Sequence, residues 1–302
     1  VAGGVLDGDL ILFGTGDPTL SDRFFPSTSA PLDSLAHRLR RAGIEEIRGD
    51  LVVDGSFFRG PELHPEWDPG DLNETFAAPV SALAFNESVF TIRVRPGEWP
   101  GARPHVLTLP EETGIPVENT ARTAPARSPS RLQVLREAPL DPILIQGEIA
   151  LGGREVWRRL PVPDPLLFAG HQLRRSMEAA GIHVEGTVRT VRDPGSSRLG
   201  LGDPTSPRRS SSSPRILVSH TSPPLLDILR VVNKESHNLF AEAVLRTLGQ
   251  VVLGEGSAEG GSRVVERFLV EAGGVPPGDV RVRDGSGLSP GNGISAAALV
   301  QL

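Results

Sequence analysis

The chain has 302 residues, 38% hydrophobic and 23% charged, which is enough for two globular domains and too apolar for a disordered chain. A net charge of −6 with dispersed basic residues argues against a nucleic-acid footprint, and no apolar run reaches the ~20 residues of a membrane span. Cysteine and tyrosine are absent and Lys234 is the only lysine, so disulfides, thiolates, a phenolate base and any two-lysine mechanism are excluded within these residues.

Leu10–Phe13 is a short apolar strand, closed by the turn residues Gly14-Thr15-Gly16-Asp17-Pro18. Leu32, Leu35, Ala36 and Leu39 fall at helical spacing, with Gly43 as the stop, and Gly49–Asp54 returns as a strand. A helix ending in Ala-Gly before a strand recurs at Ala42-Gly43-Ile44 and Ala180-Gly181-Ile182. Ala272-Gly273 before Val280 is a looser third case, so one supersecondary unit is reused. Phe90–Val94 alternates with the period of a half-buried strand. Arg131–Glu137, Ile143–Leu151 and Glu155–Leu160 add strands, the last two expected as a hairpin through Gly152-Gly153.

Beyond Pro161-Val162-Pro163 the pattern turns helical. Leu166–Ala180 reads as a helix, Ile182–Val191 as a strand and Pro204–Pro214 as a Ser/Arg/Pro loop without core-forming residues. Ser222 is the expected cap of a helix carrying Leu225 to Val232. A second helix is expected from Leu239 to Leu248, stopping at Gly249. A third should bury Val264, Val265, Phe268, Leu269 and Ala272 on one face, and Ser295 caps a last helix, Ala296–Leu302. The domains are accordingly drawn as a β-rich region, 1–163, and a mostly helical one, 164–302.

No phosphate loop, dinucleotide fingerprint or His-Glu-x-x-His is present, the seven histidines are scattered, and no cofactor or metal is implied. Asp7-Gly8-Asp9 begins like a calcium loop but lacks the remaining ligands and reads as a solvated turn. Trp67 reads as a packing anchor in a turn-rich loop. The chemistry-bearing segment is Asn233-Lys234-Glu235-Ser236-His237-Asn238, a polar cluster between two apolar helices. Ser236 and Asn238 could place a hydroxyl and a carboxamide in one cleft, with Lys234 adjacent; the plainer reading is that Ser236 N-caps the second helix. Arg283–Asn292 reads as a glycine-rich surface loop. Its Gly-Ser-Gly does not make a nucleophile elbow, which needs Gly-x-Ser-x-Gly where position 288 is leucine.

Taken in order, several segments resemble the low-molecular-mass class C penicillin-binding proteins, the type-4 D-alanyl-D-alanine carboxypeptidases/endopeptidases. They are Lys234–Glu242, Leu245–Gly249 and Asp284–Ser289, together with Gly14–Leu20, Gly49–Leu51 and Pro79–Leu83 before Asn86. The resemblance implies an α+β chain with a penicillin-recognising serine transpeptidase-like fold. That fold is incomplete here, with a partial helical subdomain and β-rich inserted domains. It also implies an acyl-enzyme route on peptidoglycan stem peptides ending in D-Ala-D-Ala, reaction with β-lactams, and an extracytoplasmic location. Of the signature set Ser-x-x-Lys, Ser-x-Asn and Lys-Thr-Gly, only the middle element maps, onto Ser236 and Asn238 with Lys234 flanking.

With a single lysine the other two motifs cannot lie in these residues. The family's order places them just outside either end, so the chain is expected to be an interior fragment, inactive as it stands. The alternative is a catalytically dead relative that binds peptidoglycan. A class C β-lactamase-like enzyme is disfavoured, because it would use a tyrosine at the position of Ser236. Self-contained Ser236/Lys234 catalysis would need ~2.6–3.2 Å contact across a turn between residues two apart.

Overall fold

The structure is a computed structural model that describes residues 3–111, 113–199 and 214–302. Its first elements are β1 (Val5–Leu6), β2 (Leu10–Phe13), β3 (Asp17–Leu20), α1 (Ala30–Arg41), β4 (Glu46–Ile47) and β5 (Leu51–Asp54). Then come β6 (Leu83–Phe85), β7 (Val89–Arg95), β8 (His105–Leu109), β9 (Val117–Asn119), β10 (Arg122–Ala124), β11 (Arg131–Leu135), β12 (Ile143–Ala150) and β13 (Val156–Pro161). After them follow α2 (Pro165–Ala179), β14 (His183–Val184), β15 (Val188–Val191), α3 (Leu225–Glu235), α4 (Asn238–Leu253), α5 (Ala258–Glu271), β16 (Val280–Arg281), β17 (Gly293–Ile294) and α6 (Ala296–Gln301).

The Ala-Gly unit builds the first layer. In α1 the residues at helical spacing, Leu32, Leu35, Ala36 and Leu39, are all buried, and Gly43 leaves the helix at φ 88°. β4 is flanked by β1 and β14, and β5 by β2 and β15, all in parallel. Each strand of the first set joins one of the second through a glycine: Gly8, Gly49 or Gly186. These turns stack so tightly that a methyl group on Gly49 would lie 2.4 Å from the Gly8 carbonyl carbon, and one on Gly186 would lie 2.4 Å from the Gly49 oxygen. Carboxylates tie the layers: Asp9 accepts from the Asp50 N–H and Asp50 from the Thr187 N–H, both at 2.8 Å. Asp9 thus terminates strands rather than standing free in a solvated turn.

The third copy of the strand–glycine–strand step is therefore the N-terminal β1–β2 segment. The looser case near Ala272-Gly273 does not join it, because β16 pairs antiparallel with β17. Gly186 also breaks the single strand expected over 182–191 into β14 and β15. α2 covers the stack, placing Leu166, Ala169 and Leu173 in one core with Leu10, Leu51, Val53 and Val184.

Two further sheets follow. β7 lies between β13 and β8, antiparallel to both, burying Phe90, Ile92 and Val94 as the alternation requires. β12 pairs with β11 antiparallel and with β9 and β10 in parallel. The expected hairpin through Gly152-Gly153 is thus absent; the turn hands the chain from one sheet to the other, because the mates of β13 lie on β7. Asp17–Leu20, expected within or just beyond a turn, pairs with β6 instead.

The remaining helices depart from their expected ends. The chain enters α3 through Pro224 with no side-chain cap, so Ser222 does not cap it. α4 runs through Gly249 and stops at Gly254, at φ 70°. Gly249 marks a crossing: a methyl group there would lie 2.6 Å from the Gly261 nitrogen of α5. α5 buries its small N-terminal residues Ala258, Gly260, Gly261 and Ser262, while Phe268 on the expected inner face is 64% exposed. Ser295 caps α6 by accepting from the Ala298 N–H at 3.0 Å. Residues 204–213 of the expected Ser/Arg/Pro loop lie outside the described residues. Among the described residues, no helix is long and apolar enough to cross a membrane.

Candidate functional site

The α3–α4 junction presents the sequence-predicted cluster. Ser236 closes α3 in the left-handed region, at φ 53° and ψ 48°, and α4 begins at Asn238. Between them His237 is extended, at φ −87° and ψ 102°. The side chain of His237 turns inward to Glu87, while Ser236 is exposed and Asn238 half-buried on either side of it. Ser236 and Lys234 are exposed and, among the described residues, their hydroxyl and ammonium make no hydrogen bond or ion pair. Asn238 is half-buried and donates from Nδ2 to the Phe76 carbonyl at 2.9 Å, which orients the carboxamide. The N-cap reading of Ser236 does not hold: His237 occupies the cap position of α4, without a side-chain cap bond. An αL serine costs about 1–2 kcal/mol, and no hydrogen bond of its own hydroxyl offsets that cost among the described residues.

Beneath the turn lies a group that the sequence did not point to. Asn86, Glu87 and Ser88 all have positive φ, at 50°, 57° and 54°, and this backbone delivers the buried Glu87 carboxylate to His237. Glu87 accepts from Arg23 Nε at 2.7 Å and from Ser21 Oγ at 3.3 Å, and His237 Nε2 lies 3.0 Å from its other oxygen. Arg159 approaches to 3.8 Å, and Arg23 pairs in addition with Glu235, the last residue of α3. Burial alone would raise the Glu87 pKa; hydrogen bonds and charge from His237 and Arg23 override it and hold it at about 2. The His237 ring also rests 4.5 Å from that of Phe240, which stacks on Phe24 at 6.2 Å. Glu87 is 150 residues from His237 in sequence, and no local pattern marks it.

Arg283–Asn292 is a loop at the surface, as expected, but it is pinned inward at Asp284 and Ser289. Asp284 is buried and accepts from Trp67 Nε1 at 2.9 Å, Asn292 Nδ2 at 2.7 Å, and the N–H groups of Gly287 and Ser289 at 2.8 and 2.6 Å. Burial pushes its pKa upward, but these donors, led by Asn292 and Trp67, bring it below the ordinary aspartate value. Trp67 is the packing anchor expected, and its indole N–H is used as well. Glu242 on α4 accepts from the N–H groups of Gly285 and Ser286, both at 2.9 Å, and burial raises its pKa. The loop is thereby fastened to the helix that begins at Asn238. Among the described residues, no group of three or more His, Asp or Glu could hold a metal ion.

Chemically, the junction offers an exposed hydroxyl that can pass a proton and, beside it, an oriented carboxamide that can hold a peptide group. Comparison with known proteins bears on that reading. The D-Ala-D-Ala carboxypeptidase 3 (S13) family profile matches residues 1–302. A D-alanyl-D-alanine carboxypeptidase of Actinomadura sp. is 30% identical over 97% of this chain and 52% of its own length. The D-alanyl-D-alanine carboxypeptidase DacB of Haemophilus influenzae is 25% identical over 100% of this chain and 58% of its own. The crystal structure of penicillin binding protein 4 from Haemophilus influenzae superposes with a TM-score of 0.76 at 24% identity, covering 99% of this chain and 61% of that one. The chain thus spans about half the length of the curated relatives it matches, and its α+β architecture is that of the penicillin-binding protein 4 fold. It belongs to the D-Ala-D-Ala carboxypeptidase 3 (S13) family.

Proposed function

We propose that the full-length protein containing this chain is a serine-type D-alanyl-D-alanine carboxypeptidase/endopeptidase that works outside the cytoplasm on peptidoglycan stem peptides. In this reading a serine outside these residues attacks the penultimate D-Ala carbonyl, D-alanine or a cross-linked peptide leaves, and water hydrolyses the acyl-enzyme. Ser236 relays the proton to the leaving amine and Asn238 holds the substrate amide. Lys234, exposed on the last turn of α3, adds positive charge at the rim. The observation that carries the reading is the junction itself: an exposed hydroxyl with no hydrogen bond among the described residues and, two residues on, an oriented carboxamide, in a chain of this family. The bound β-lactam in a second penicillin binding protein 4 structure from Haemophilus influenzae, TM-score 0.69 at 24% identity, fits β-lactam acylation here too.

Because Lys234 is the only lysine, neither Ser-x-x-Lys nor Lys-Thr-Gly occurs in these 302 residues, and we propose that the isolated chain is inactive. A fluorescent penicillin separates the possibilities. It should label the full-length protein covalently and leave the 302-residue chain unlabelled. Labelling of the isolated chain would overturn the assignment of the nucleophile. A full-length protein that stays unlabelled but retains peptidoglycan in a pull-down would instead be the catalytically dead binder.

A further inference from the structure

The Ser236–Asn238 turn is held in place from outside its own helices. Three consecutive non-glycine residues at positive φ, 86–88, form a rare and costly backbone, and such strain persists only where the surroundings over-determine it. Here the Asn86 side chain closes the turn on the Val89 carbonyl at 2.6 Å, and Glu87 is driven inward beneath the α3–α4 junction. Its carboxylate meets His237, the single residue between the hydroxyl and the carboxamide, and Arg23, whose other partner is the last residue of α3. The imidazole faces an ionised carboxylate, so Nε2 carries a proton and donates it. Both sides of the junction are thereby tied to one buried anion.

We infer that Glu87 is a positioning residue for acyl transfer: through His237 and Arg23 it fixes the αL turn that carries Ser236 and leads into Asn238. Without the anchor, His237 can turn outward and the junction is free to leave the αL conformation, in which serine is strained. The hydroxyl then loses its position relative to the carboxamide, and displacements of about 1 Å are enough to cost orders of magnitude in rate. Glu87 itself touches neither hydroxyl nor carboxamide, so its effect must pass wholly through the turn. The inference rests on the proposed role of Ser236.

A double-mutant cycle in the full-length protein tests it, reading the second-order rate of acylation by a fluorescent penicillin and the steady-state hydrolysis of a D-Ala-D-Ala peptide. Glu87→Gln keeps the shape and removes the charge. It should lower kcat by about tenfold or more while KM for the peptide stays within about threefold. Ser236→Ala should lower acylation ~10²-fold or more. In the Ser236→Ala background, Glu87→Gln should cost less than about threefold further, since the hydroxyl it positions is gone and the Asn238 carboxamide keeps its own hold on the Phe76 carbonyl. An equal, multiplicative loss in both backgrounds would overturn the inference and leave Ser236 in its role. A Ser236→Ala enzyme within about threefold of wild type would instead defeat the catalytic reading, whatever Glu87 does. If Glu87→Gln does not fold, His237→Gln addresses the same contact from the helix side and should show the same non-additivity; full additivity there would equally overturn it.

Discussion

Replacing Glu87 by glutamine should change the pH dependence of stability in a way that can be worked out in advance. The carboxylate is buried, faces Ser21, Arg23, Arg159 and His237, and has its pKa held at about 2 in the folded chain, against an ordinary value of 4.5. A depressed carboxyl pKa means that the unfolded chain binds this proton first as the pH falls. Its stabilisation is therefore complete above pH 4.5 and is lost as the pH drops towards 2. Linkage across these two values removes ~1 kcal/mol by pH 4 and ~2 kcal/mol by pH 3, out of ~3 kcal/mol in all. Glu242 works in the opposite sense, since burial raises its pKa and favours the protonated fold. Total stability thus mixes several groups, whereas the difference between wild type and Glu87→Gln isolates the anion and the imidazole it faces. Urea unfolding followed by circular dichroism at pH 6, 4 and 3 measures that difference. It should shrink steadily on acidification, by ~2 kcal/mol at pH 3. Parallel pH profiles for the two proteins would refute the claim that Glu87 is held ionised by its partners.

Ser236 and the stacked glycines supply two further expectations. Because Ser236 sits at φ 53° and its hydroxyl makes no hydrogen bond among the described residues, Ser236→Gly should stabilise the chain by ~0.5–1 kcal/mol in urea unfolding. The same substitution in the full-length protein should depress penicillin acylation, and a loss of stability would show that the hydroxyl holds the turn. Gly43→Ala, at φ 88° with open space around it, should cost about 1 kcal/mol, whereas Gly49→Ala drives a methyl into the Gly8 backbone and should cost ~3 kcal/mol or more. Thermal melts that rank the two variants equally would contradict the stacked arrangement.

How far each element could be read depended on whether its determinants were local. α1 and β7 follow from apolar periodicity, and Ser295 caps α6 where the spacing put it, because these patterns act within a few residues. Gly249 was legible as a glycine but not as a helix crossing, since its reason is α5 and lies in space. The missing β12–β13 hairpin has the same cause: two neighbouring strands each found mates elsewhere, and strand partnership is a long-range choice.

At the site the division is sharper. Residue types alone determined that an Asn-Lys-x-Ser-x-Asn cluster lies between two helices, that no second lysine is present, and that the segments run in the order of a known family. Tertiary structure decided that Ser236 leaves α3 in the αL region with its hydroxyl outward, and that His237 turns inward to a carboxylate 150 residues away. The loop beside it, with Asp284 buried against Trp67, was likewise settled only in three dimensions. Buried charges demand partners, and those partners are chosen by proximity in the folded chain, which adjacency in sequence does not encode.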